Sequence, residues 1–131
     1  AASGYEQGRT VAVREDVTAI FAANDQMAMG ILRALHEAGR EIPGDVSVVG
    51  FDDVPEAEFQ MVPLTTVGID LDQTAQRILA ELLRMIEGGE PPAEAVTLPG
   101  TELIIRRSSG PVRRTEPIPG SRHTRINSPQ M

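Results

Sequence analysis

The sequence predicts an α/β domain built on a parallel sheet with crossover helices. Two observations carry that prediction. Short apolar runs at 18–23 and 46–51 each end in polar residues, as strands do. Segments 25–38 and 71–86 place their apolar residues at helical spacing. Strand, helix, strand and helix in succession is the pattern of parallel strands joined by crossover helices.

The elements follow in order along the chain. Residues 3–14 form a short helix candidate. Thr18 to Ala23 is a compact apolar run of the kind found in buried parallel strands. Asn24-Asp25 comes next, and either residue can cap a helix in which Met27, Ile31, Leu35 and Ala38 share a face opposite Arg33, His36 and Glu37. Gly39 suits the end of that helix. A Pro43-Gly44-Asp45 turn leads into the second strand, which ends at Asp52-Asp53. A loop with Pro55 and Pro63 reaches a third short strand at 64–67. Asp70 with Gln73 makes a capping box for a helix carrying Leu71, Ala75, Ile78, Leu79, Leu82 and Ile86 on one face. Gly88-Gly89 stops it, and a last strand pair is expected around 95–98 and 102–106.

Composition narrows the function classes. The chain has 131 residues, enough for one modest domain, with 19 acidic residues against 12 basic ones. Every basic residue is Arg, and they are not clustered as a nucleic-acid surface requires. No Cys is present, which removes disulfides and thiolate chemistry. No apolar run approaches a membrane span, and there is no N-terminal basic-then-apolar signal segment. The Ala1-Ala2-Ser3 start reads like the interior of a longer protein. Residues 1–109 hold 8 Arg and 18 acids, a balance of −10, whereas 110–131 hold 4 Arg and 1 acid, a balance of +3. That last stretch, with four prolines, is expected to be a disordered, solvated tail.

Ligands of open parallel sheets bind beyond the carboxyl ends of the strands. Asn24, Asp52 and the Gly68-Ile69-Asp70 break follow three strands and would meet at one edge. An Asn offers donors and an acceptor, and an ionised Asp accepts from hydroxyls, so the set suits a neutral, hydroxyl-rich small molecule rather than an anion. Asn24 can equally cap its helix, and both roles are compatible. Asp53 should point away and be structural, and Asp70 should be only a cap. Enzymatic chemistry is not expected. There is no Gly-x-Ser-x-Gly elbow and only two His residues, while adjacent Asp52 and Asp53 would face opposite sides of an extended chain. Neither a metal site nor a cofactor is expected, since Asp70-Leu71-Asp72 lacks the further ligands of a calcium loop.

Four blocks, AIFAANDQMAMGILRALHEAG, IPGDVSVVGFDDVPEAEF, PLTTVGIDL and ELIIRRSS, resemble in order and spacing the effector domain of LacI/GalR-family repressors. The resemblance implies a type I periplasmic-binding-protein-like fold, represented here in part: residues 1–69 in the C-terminal subdomain, 70–101 crossing to the N-terminal one, 102–109 returning, and 110–131 as tail. It implies that Asn24 and Asp52 contact a sugar or related metabolite, and that Ile69 and Leu71 line the cleft. Many members carry Gln and an aromatic at those last two positions. It further implies a cytoplasmic homodimer touching itself through Met29 and the loop holding Glu56, Phe59 and Met61. DNA would be bound only through an upstream helix-turn-helix, and the membrane not at all. In a regulator of this kind the effector modulates the dimer's affinity for DNA. The alternative is a sugar-binding protein of a transport system. Such proteins usually follow the second strand with Gly-Phe-Asp-Gly and lack the PLTTV and IIRRSS blocks. The resemblance also implies that the helix at 71–86 loses its supporting sheet, so the fragment alone is expected to be marginally stable or to self-associate.

Overall fold

The structure, a computed structural model, describes residues 1–91 and 97–111. Helix α1 (Ala2–Ala12) leads to strand β1 (Ala19–Phe21), helix α2 (Asp25–Glu37) and strand β2 (Ser47–Asp52). A single 3-10 turn (Pro55–Ala57) precedes strand β3 (Thr65–Ile69), helix α3 (Leu71–Ile86) and strand β4 (Thr101–Ile104). The four strands form one sheet in the order β1-β2-β3-β4. The first three are parallel, with Phe21 opposite Val49 and Asp52 opposite Gly68. Strand β4 runs antiparallel to β3, with Glu102 opposite Gly68. The sheet is therefore mixed. Of the expected last strand pair, residues 97–98 are not strand and 95–96 lie outside the described residues.

The core lies between α2 and one face of the sheet. Ile31, Leu32 and Leu35 of α2 meet Val46, Val48 and Leu64, all buried. Strand alternation explains the choice: Val48 and Gly50 share one face of β2, and Val46, just before the strand, continues that row. Strand β1 departs from expectation. It lies at an edge of the sheet, and Phe21 is 65% exposed rather than buried.

Helix α1 contains Gly4 and Gly8, both poor helix formers. Packing offsets that penalty. A Cβ on Gly4 would lie 2.1 Å from the Met27 carbonyl oxygen, and one on Gly30 would lie 2.2 Å from that of Ala1. The two helices touch backbone to backbone, an approach that only glycine permits. Arg40 then holds the end of α1, its guanidinium donating to the carbonyls of Ala12 (3.1 Å), Arg14 (3.0 Å) and Val17 (3.3 Å).

The far end of the chain closes the sheet. Ser108 is fully buried; its hydroxyl donates to the Val48 carbonyl (2.6 Å) and accepts from the Thr65 amide (2.7 Å). Contacts continue past residue 109. Gly110 exchanges hydrogen bonds with the Ser47 hydroxyl at 3.1 and 3.2 Å. The tail expected to be disordered lies, from residue 112 onward, outside the described residues.

Candidate functional site

Because β1, β2 and β3 are parallel neighbours, their carboxyl ends open at one edge. Asn24 and Asp52 both stand there. Asn24 is the N-cap of α2, its Oδ1 accepting from the Met27 amide at 2.8 Å, and it remains half-buried. Asp70 caps α3 in the same way, accepting from the Gln73 amide at 2.8 Å.

The exit of β2 is strained. Asp52 has φ 110° and Asp53 φ 54°, two successive left-handed residues with side chains. Such conformations cost on the order of 1–3 kcal/mol each and persist only where the surroundings hold them. Asp53 forms an ion pair with Arg106 at 2.8 Å while lying against Gly68 at the end of β3, so it stays at this edge rather than pointing away from it. The same guanidinium donates to the Leu64 carbonyl at 2.9 Å, and the Arg106 amide donates to the Thr65 hydroxyl at 2.9 Å. The segment after β4 is thereby joined to the exit of β2.

A small hollow of about 240 Å³ lies beside these residues. Ile69, Asp70, Gly68, Asp53 and Glu102 line it, together with Gly100 and Ile104. Asn24, Asp52 and Leu71 do not, and Leu71, at the start of α3, is 61% exposed. A larger hollow of about 670 Å³ lies between α2 and the 60–62 loop, with Met29, Leu32, His36 and Met61 among its walls. Phe59 and Met61 are 81% and 85% exposed; Glu56 is exposed and Met29 half-buried.

One residue of consequence escaped the sequence reading except as a possible cap. Asp25 is fully buried; its Oδ1 accepts from the Thr66 hydroxyl at 2.6 Å and its Oδ2 from the Val54 amide at 3.0 Å. Gly50 makes room for it, since a Cβ there would lie 2.1 Å from the Asp25 Oδ1. The available signal was an acid at the first position of a helix, together with a glycine inside an otherwise β-branched strand. Among the described residues, no group of three His, Cys, Asp or Glu side chains could hold a metal ion. No described helix is long and apolar enough to cross a membrane.

Comparison with known proteins agrees with this architecture. The sequence profile described as "Periplasmic binding protein-like domain" matches residues 1–109. A lactose operon repressor of Rhizobium radiobacter is 43% identical over 113 residues, covering 82% of this chain and 94% of that protein. The transcriptional repressor MelR of Bacillus subtilis is 44% identical over 92 residues, 70% of this chain but only 26% of MelR. The transcriptional regulator MalR of Streptomyces coelicolor is 39% identical over 117 residues, 87% of this chain and 33% of MalR. The chain thus spans a third or less of the length of MelR and MalR. Among solved structures, the lac repressor dimer bound to operator and an anti-inducer superposes with a TM-score of 0.71 at 34% identity, over 82% of this chain and 37% of that one. A LacI family regulator from Lactobacillus casei with bound sucrose gives 0.70 at 32% identity, over 81% and 39%. By profile, relatives and fold, the chain belongs to the periplasmic-binding-protein-like effector domains of the LacI/GalR family.

Proposed function

We propose that this domain senses a small, neutral, hydroxyl-rich molecule, a sugar or a close relative, for a transcriptional repressor. The carrying observation is the strained exit of β2, which holds Asp52 at the same sheet edge as Asn24. Backbone strain clusters at ligand clamps and other functional sites. Arg106, beside that edge, is occupied by Asp53, so its guanidinium is not free for an anionic effector. Ile69 and Leu71 add apolar surface where the cleft would close. The names of relatives support the reading: a lactose operon repressor is among them, and the Lactobacillus casei regulator has been solved with glucose and with sucrose.

In this reading the opposite wall of the cleft comes from a second subdomain, and DNA is contacted by an upstream helix-turn-helix. Effector binding works by preferring one arrangement of the subdomains. A second copy packs on the face carrying Met29, Glu56, Phe59 and Met61. The test uses a chimera in which residues 1–111 replace the matching segment of Bacillus subtilis MelR. Calorimetry with glucose, sucrose and lactose is expected to detect binding, and glucose 6-phosphate is expected not to bind. Asp52→Ala should weaken that binding at least about tenfold, the cost of a hydrogen bond to a charged group. Binding of the phosphorylated sugar alone, or indifference to Asp52→Ala, would remove the assignment.

A further inference from the structure

We propose that Asp25 is the positioning residue of the effector rim, tying the start of α2 to the exit of β2 and to β3 so that Asn24 and Asp52 face the same space. The inference rests on the function proposed above and adds to it a residue that touches no effector. A buried carboxyl group is costly unless its oxygens are hydrogen-bonded. Here each oxygen has one partner from a different segment: Thr66 in β3 at 2.6 Å, and Val54 just beyond β2 at 3.0 Å. The start of α2 supplies the favourable end of a helix dipole as well.

These attachments are buried, and the backbone they hold leads directly to the rim. Asn24 is the residue before Asp25, and Asp52 lies two residues before Val54. Asp52 and Asp53 are left-handed, so the segment relaxes unless it is pinned on both sides. On one side the pins are the pairing of Asp52 with Gly68 and the ion pair of Asp53 with Arg106; on the other it is the Val54 amide on Asp25. Release of Asp25 frees that last pin.

Hydrogen exchange of the full 131-residue chain tests this without any effector. Thr66→Val, which keeps side-chain shape and removes one partner of Asp25, should speed exchange of the Val54 amide on the order of tenfold relative to the Val48 amide, and Thr66→Ser should restore it. Asp25→Ala should do the same more strongly. If that variant does not fold, Thr66→Val still decides. Leu35→Ala, a core change, should speed both amides together. Proportional acceleration at both amides in Thr66→Val, or none at Val54, overturns the inference. Failure of sugars to bind the chimera removes the proposed function and leaves the exchange pattern readable. Sugar binding with unchanged Val54 exchange in Thr66→Val removes this inference alone.

Discussion

Helices α2 and α3 are written by the same rules and meet different fates. Each begins with a side-chain cap at 2.8 Å, from Asn24 and from Asp70. Each ends on a glycine of positive φ, Gly39 at 73° and Gly88 at 90°. The closing bonds also match: Arg40 donates back to Leu35, and Gly89 to Arg84. Both carry an apolar stripe. Yet α2 buries seven residues, whereas α3 buries none, leaving Ile78, Leu79 and Leu82 at least half exposed. Helical periodicity states which face seeks cover. It does not state who provides it.

The difference can be broken or sharpened by substitution. Leu35→Ala in α2 should cost about 2–5 kcal/mol by urea denaturation, as full burial implies. Leu82→Ala in α3 should cost less than about 1 kcal/mol. Equal losses would mean that α3 is covered in solution, for instance by a second copy of the chain. Next in size are the caps. Asn24→Ala and Asp70→Ala each remove a bond worth about 1 kcal/mol. The first should lower the midpoint of global unfolding; the second should only fray α3, seen as lost helical circular dichroism without a shifted midpoint.

The smallest effect concerns the surface where α1 meets α2. The Glu37 carboxyl is held below its ordinary range first by the hydrogen bond from the Tyr5 hydroxyl, at 2.6 Å, and then by that from Arg33. A carboxyl lowered on folding stabilises above its unfolded value, and that contribution is lost as pH falls through its folded value. Tyr5→Phe should therefore move the Glu37 titration upward by NMR and flatten the acid limb of the stability curve. No shift on removing the hydroxyl would discard this contact.

Much of the fold was legible because its signals are local. Caps at Asn24 and Asp70, stops at Gly39 and Gly88, and the strand at 46–51 all depend on neighbours within a few residues. The misread features depend on distant partners. The exposure of Phe21 follows from the edge position of β1. The helical place of Gly4 depends on Met27, which lies against it 23 residues later. At the site, Asn24, Asp52 and Ile69 could be assigned to strand ends by position alone. Asp25 could not, because Thr66 and Val54 are 41 and 29 residues away.

Ser108 carries a consequence for how the molecule is made. It lies 60 residues from Val48 and 43 from Thr65, and it bonds both in the interior. A nascent chain emerges amino end first, so the two inner strands wait for almost everything described here before their shared serine arrives. Contacts of such separation slow folding. Completion is a late event, and a chain lacking Ser108 would leave the sheet unlatched.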